Sequence, residues 1–208
     1  MVGGAVSAAE HWDEIYGTRT VDAVSWYQRE PAVSLRLVPA AAPDRAAGIV
    51  DVGSGASSLV DRLLDDGYRD LTLVDVSTRA LDLVRARLGD RARHVTFVAG
   101  DVLDWMPDRE FAVWHDRAVF HFLTDEQDRA RYVERAAAAV RPAGALIVAT
   151  FAADGPPQCS GLPVHRHQPA DLARAFGPAF VLEAAEREEH MTPAGVVQPF
   201  SWAVLRRR

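Results

Sequence analysis

The stretch from Val50 to Gly67, VDVGSGASSLVDRLLDDG, constrains this chain more than any other. It opens on an apolar, β-branched run and turns at Gly53 and Gly55. It continues as a helical pattern that puts Leu59, Leu63 and Leu64 on one face, with Gly67 where a C-terminal cap belongs. A buried strand that enters a glycine turn and leaves as a helix is the opening unit of a parallel sheet. The two glycines permit the tight reversal and leave no Cβ between backbone and ligand. The unit excludes a phosphate-binding P-loop, because no Gly-Lys-Ser/Thr follows.

The rest of the chain repeats the alternation. DLTLVDVS reads as a second strand, and STRALDLVRARLGD as a helix with Ser77 as its N-cap. HVTFVAGDV is a third strand, and EFAVWHDRAVF holds a fourth. TDEQDRARYVERAAAAVRPAG is a helix with capping-box spacing between Thr124 and Gln127, stopped by Arg141-Pro142. ALIVATF is a fifth strand. A Pro/Gly-rich loop at 153–168 follows, then a short helix through Leu172 and Phe176. FVLEAAEREEH and VVQPFSWAVLRR flank the turn MTPAG and read as an antiparallel pair. Residues 1–9 read as disordered. From His11 to Val38 the chain reads as helical pieces rich in aromatics, among them Trp12, Tyr16, Trp26 and Tyr27. Residues 1–208 are expected to form a single domain, a parallel α/β sheet with helices on both faces.

Charge and cysteine usage narrow the function. A formal charge of −6 argues against a nucleic-acid partner. The single cysteine, Cys159, excludes an intrachain disulfide and a thiolate-rich metal site. Cys159, His165 and His167 share one loop, but the His-x-His spacing is not read as a metal site. No signal sequence and no bilayer-spanning run is legible, so a cytoplasmic monomer or homodimer without membrane contact is the expectation.

In such sheets ligands bind beyond the carboxyl ends of the strands. Three acids fall there: Asp51 before the glycines, Asp75 at the end of the second strand, and Asp101 after the third. Asp75 suits a ribose diol, and Asp101 with the Val102 amide suits adenine. Three carboxylates repel a pyrophosphate and favour a cationic nucleoside. Ser58 stands where a nicotinamide site needs Gly or Ala, which demotes a dehydrogenase. Charge alone therefore favours S-adenosylmethionine over NAD.

The runs DVGSGAS, LVDVS, VAGDV and RPAGALIVATF resemble, in order, the successive motifs of class I S-adenosylmethionine-dependent methyltransferases. The resemblance covers nearly the whole chain. It implies a Rossmann-like, doubly wound seven-stranded sheet of order 3-2-1-4-5-7-6, with strand 7 antiparallel. It also implies that Asp51, Gly53 and Gly55 flank the methionine moiety, Asp75 holds the ribose, and Val76, Asp101 and Val102 surround the adenine. Ser57 replaces the third motif glycine, and Ala112 replaces the acid often seen early in the fourth strand. HWDEIYGTRTVDAVSWYQ resembles the opening of small bacterial methyltransferases and of related protein-lysine methyltransferases. That resemblance makes residues 10–38 a helical cap over the cofactor, with Trp26 and Tyr27 near the sulfonium.

The acceptor side is expected to hold the catalytic groups. His115 and Asp116 end the fourth strand, where His115 is also a cofactor contact, and His190 opens the C-terminal hairpin as a candidate base. His121 is read as a core histidine. The loop at 153–168 shapes the acceptor pocket. The expected activity is methyl transfer to a small molecule, with a thiol preferred because no strong base is evident. The alternatives are protein-lysine methylation, an NAD(P)-dependent oxidoreductase, and a catalytically silent cofactor-binding module.

Overall fold

The computed structural model describes residues 7–208. Most of the stretch expected to be disordered therefore lies outside the described residues. Ser7, however, caps a helix, α1 (Ala8–Thr18), by a full capping box with Glu10, so Ala8 and Ala9 are helical rather than disordered. The pattern Ser-x-x-Glu carried that signal. A 3-10 turn (Val21–Ala23) and α2 (Ala32–Ala41) complete the N-terminal segment.

The glycine-loop unit folds as β1 (Ile49–Val52) and α3 (Leu59–Asp65). It is followed by β2 (Leu71–Asp75), α4 (Thr78–Leu88), β3 (Val95–Ala99), β4 (Phe111–Arg117), α5 (Glu126–Ala139) and β5 (Val140–Phe151). Two short strands, β6 (Gln158–Cys159) and β7 (Leu162–Pro163), pair within the loop after β5. Then come α6 (Pro169–Phe176), β8 (Phe180–Met191) and β9 (Val197–Arg207).

The main sheet runs β3-β2-β1-β4-β5-β9-β8. β1 to β5 are parallel, and β9 is antiparallel to both β5 and β8. This is the expected seven-stranded order once the β6–β7 pair is counted. Period-2 alternation divides the core between the faces. Ile49, Leu73, Val113 and Ile147 pack with Leu59, Leu63, Leu81 and Val84 of α3 and α4. Val50, Val74, Trp114 and Leu146 pack with Tyr132 and Ala136 of α5 and Leu172 and Phe176 of α6.

Two local expectations fail. The N-cap of α5 is Asp125, which accepts from Gln127 N at 2.7 Å and Asp128 N at 3.4 Å, so the Thr124–Gln127 box does not form. Asp116 does not reach a crevice at all. It is fully buried beneath the β4–α5 connection, accepting from Val119 N at 2.8 Å, from Phe120 N at 3.0 Å and from the Tyr132 hydroxyl. Tyr132 in turn accepts from Trp114 Nε1 at 2.9 Å. Asp116 thus ties a turn to α5, and a catalytic role is withdrawn.

Burial pushes the Asp116 carboxyl up to about 6, although three donors and the nearby His115 oppose the shift. Its folded value lies above its unfolded one. Its contribution to stability is therefore fully present below about pH 4 and is lost as pH rises through about 6. Denaturant titrations from pH 4 to 8 are expected to show that loss, and Asp116→Asn is expected to flatten it. Tyr132→Phe, which strips a buried acid and a buried indole of a partner, is expected to lower stability by about 1–3 kcal/mol.

Candidate active site

The glycine loop is pinned from below by β2. Gly53 N and Ser54 N donate to Val74 O at 2.7 and 3.3 Å, and Gly55 N donates to Asp75 Oδ2 at 2.7 Å. The other oxygen of Asp75 accepts from Ser77 N at 2.8 Å. One carboxylate therefore joins the loop to the start of α4. Burial pushes it up to about 6, with Asp51 and Asp13 adding to the shift and the two backbone donors opposing it.

Gly53 and Gly55 both have positive φ, +61° and +52°. Each also leaves room for a neighbour: a Cβ on Gly53 would overlap Cγ2 of Val119, and one on Gly55 would overlap the Tyr16 hydroxyl. Tyr16 arrives from α1, which docks through Asp13. That carboxylate accepts from Ser77 Oγ at 2.6 Å and Arg79 N at 3.1 Å, at the N-terminus of α4 where negative charge is favoured. Trp26 Nε1 donates to Tyr16 Oη at 3.3 Å, and Trp12 packs edge-on against both Trp26 and Phe122.

These elements enclose a cavity of ≈ 340 Å³ at the carboxyl ends of β1, β2 and β4. Gly53, Asp75, Val76, Asp101 and Val102 line one end, and Trp12, Tyr16, Trp26 and Phe122 cover it. Arg117, Cys159, Leu162 and Pro163 close the far end. Among the described residues Arg117 is the one basic side chain on this lining, and no cluster of cations is placed there for a pyrophosphate.

The expected ring of carboxylates is split. Asp75 and Asp101 face this cavity, whereas Asp51 and Gly55 line a smaller adjoining one of ≈ 60 Å³. Asp51 and His115 are register partners on β1 and β4, so their side chains emerge together on one face. Asp51 Oδ1 lies 2.7 Å from His115 Nδ1, and His115 Nε2 lies 2.9 Å from Ser34 Oγ on α2. All three are buried, and Ser54 Oγ beside them has no partner. The order Ser-His-Asp matches a hydrolytic triad, but Ser34 is only 1% exposed, so its hydroxyl is not open to an acyl substrate. His115 instead fixes the aim of Asp51.

The other sequence candidates separate. Tyr27 faces the smaller cavity and an outer groove, not the main one. His190 lines that outer groove and donates Nε2–H to Ser25 O at 2.7 Å, tying β8 to the N-terminal segment; burial lowers its pKa. It is not on the lining of the main cavity and its Nε2–H is committed to Ser25 O, so its place as an acceptor-side base is not supported. His121 is fully buried, accepts from Phe151 N at 3.3 Å, and is pushed down to about 3. His165 and His167 pair ring to ring at 4.4 Å outside the cavity lining. The Cys159 thiol does line it, pushed up to about 11 by burial.

Sequence reasoning overlooked Ser34, Arg117, Val119 and Phe122. A charged residue closing an apolar strand was the available signal for Arg117. Ser34 had none, since its role depends on where α2 docks.

A model of the methyltransferase domain family matches residues 49–144, from β1 into β5. That match covers 96 of the 208 residues and marks a likeness to methyltransferase domains. The chain is 29% identical to the eEF1A lysine and N-terminal methyltransferase of Mus musculus over 136 residues, 64% of this chain but 19% of that protein. It therefore spans about a fifth of that relative's length. Among solved structures, one described as "Conversion of a Disulfide Bond into a Thioacetal Group during Echinomycin Biosynthesis" matches 97% of this chain and 92% of its own, with TM-score 0.77 and 17% identity. The 1,6-didemethyltoxoflavin-N1-methyltransferase of Burkholderia thailandensis, with bound 1,6-didemethyltoxoflavin and S-adenosylhomocysteine, matches 99% and 93%, with TM-score 0.70 and 20% identity.

Gly53→Ala is expected to lower stability by about 1–3 kcal/mol, through both the clash and the positive φ. Adding Val119→Ala relieves the clash alone. Thermal melts of the double variant are therefore expected to recover part of the loss and not all of it.

Proposed function

We propose that this chain is a class I, S-adenosylmethionine-dependent methyltransferase, that it acts on a small-molecule acceptor, and that the acceptor atom is a thiol sulfur. When bound, S-adenosylmethionine supplies a methyl group already activated on a sulfonium cation. The protein then has to position both partners and exclude water. Asp75 takes the ribose hydroxyls on the lone pairs that Gly55 and Ser77 leave free. Val76, Asp101 and Val102 hold the adenine. Asp51, aimed by His115, lies with Gly53 and Gly55 at the methionine end. Trp26 offers an aromatic face to the sulfonium.

The observation that carries the acceptor reading is the ionisable content of the main cavity. Its lining holds Asp75 and Asp101 at one end, Tyr16 in the cover, and Arg117 and Cys159 at the other. Burial and the Asp75 charge raise the Tyr16 phenol far above neutrality, and Cys159 stays protonated. Neither serves as a base at pH 7. An acceptor that ionises by itself near neutral pH fits such a site, and thiols do so more readily than phenols or ammonium groups. A protonated lysine would need a base and would meet the like charge of Arg117. The lysine reading still has support from the mouse relative's name, so a peptide arm belongs in the assay.

Release of S-adenosylhomocysteine from S-adenosylmethionine is expected with small thiols and not with lysine peptides. Turnover confined to peptides would replace this reading, and saturable NADH binding without S-adenosylmethionine binding would remove it. Asp75 must shed its proton to accept from a diol. Cofactor affinity is therefore expected to fall by up to about tenfold per pH unit as pH drops below about 6. In calorimetry Asp75→Asn is expected to weaken binding at pH 8 by about 1–3 kcal/mol and to remove most of that pH dependence.

A further inference from the structure

Away from the strand-end acids, the main cavity is walled by apolar side chains: Trp12, Val119, Phe122, Leu123, Leu162 and Pro163. β4 is followed by Ala118, whose φ of +77° turns the chain so that Val119, Phe122 and Leu123 run along the cavity. Leu162 and Pro163 belong to the β6–β7 hairpin, which is closed by Ser160 and Gly161 at φ +51° and +79°. The chain leaving the hairpin is fastened to the body. His165 N donates to His121 O at 2.7 Å, and His167 N donates to Phe151 O at 3.1 Å. Trp12, Phe122, Leu123 and Leu162 are half-buried and Pro163 is exposed, so this wall keeps apolar surface open.

Among the described residues the one charged group at that end, Arg117, is engaged away from the cavity. Nη1 donates to Trp26 O at 3.1 Å, the guanidinium lies 4.6 Å over the Phe200 ring, and Glu188 faces Nε at 3.9 Å. The Cys159 thiol stays protonated. A charged acceptor would give up its water there without gaining a partner, whereas an apolar one covers surface that is otherwise wetted. Trp12 and Phe122 meet edge-on with ring centroids 5.3 Å apart, a surface on which a further aromatic ring packs. A ring bonded directly to sulfur also spreads the charge of a thiolate. Such a thiol ionises near neutral pH without a base, and this lining supplies none.

We propose that the acceptor is an uncharged aromatic thiol, its ring held against Trp12 and Phe122 and enclosed by Leu162 and Pro163 of the hairpin. The proposal rests on the methyl-transfer reading above, and it is tested by binding as well as by turnover. The thiol proton goes to solvent, and a sulfur lone pair forms the new bond to the methyl carbon. The sulfonium–methyl bond breaks with its electrons left on the cofactor sulfur, giving S-adenosylhomocysteine and an aryl methyl sulfide. The full chain, saturated with S-adenosylhomocysteine, is titrated calorimetrically with anisole and 4-methoxybenzoate, which carry the ring without a reactive sulfur. Anisole is expected to bind about tenfold tighter or more. Leu162→Ser is expected to weaken anisole about tenfold and Leu162→Met to recover most of that loss, while S-adenosylhomocysteine affinity changes by less than about threefold in both. In turnover, kcat/KM for thiophenol is expected to exceed that for 4-mercaptobenzoate about tenfold and that for 2-mercaptoethanol about 100-fold.

Equal or tighter binding of 4-methoxybenzoate by the wild type would overturn the proposal, even if Leu162→Ser failed to fold. Unchanged anisole binding in a folded Leu162→Ser would remove the hairpin from the acceptor site. Turnover of 2-mercaptoethanol as efficient as that of thiophenol would keep the thiol sulfur and overturn the aromatic class. Anisole binding without turnover of any thiol would sink the thiol assignment and leave the apolar aromatic class standing. No binding of S-adenosylhomocysteine at all would sink the cofactor site first.

Discussion

The carboxylate of Asp75 is the joint on which the site depends. It ends β2, accepts the amide of Gly55 from the loop after β1, and accepts the amide of Ser77 at the entry to α4. Three elements therefore meet on one side chain. The same corner receives the N-terminal segment, because Asp13 caps α4 and lays Tyr16 over Gly55. A buried acid with two amide donors is an arrangement that only a ligand or a well-packed shell makes tolerable. Here it has both a shell and a cavity in front of it.

Three strand-end acids that look alike in the sequence have three different environments. Asp75 is buried and faces the main cavity. Asp101 is exposed at the same cavity and accepts from Leu103 N at 2.9 Å. Asp51 is turned to a side space and held by His115. The fourth, Asp116, is one residue beyond His115 on β4 and so points to the opposite face, into the α5 core. A one-residue step along β4 separates a histidine that holds Asp51 from an acid that holds a turn.

The far end of the cavity has a different character from the cofactor end. It has a buried arginine, a protonated thiol and an apolar hairpin, and no histidine among the described residues. Polarity is thus graded along the crevice, from the carboxylates of Asp75 and Asp101 to the cation of Arg117.

The sequence by itself determined the order of strands and helices, the reversal at Gly53 and Gly55, the positions of Asp75, Asp101 and Val102 at strand ends, and the hairpin that closes the chain. Each is a local property: periodicity marks the elements, glycine marks a positive φ, and parallel strands send their last residues to one edge. It did not determine which side chains share a face across neighbouring strands. The Asp51–His115 contact needs the β1–β4 register, Ser34 needs the docking of α2, and Asp116 and His190 are removed from the cavity by strand parity and by the reach of β8. The orphaned edge of Arg117 exists only because Phe200, Trp26 and Glu188 arrive from three distant segments and leave two donors unmet. Tertiary packing decided these points, since hydrogen-bond partners more than sixty residues apart leave no spacing in the chain for a reader to find.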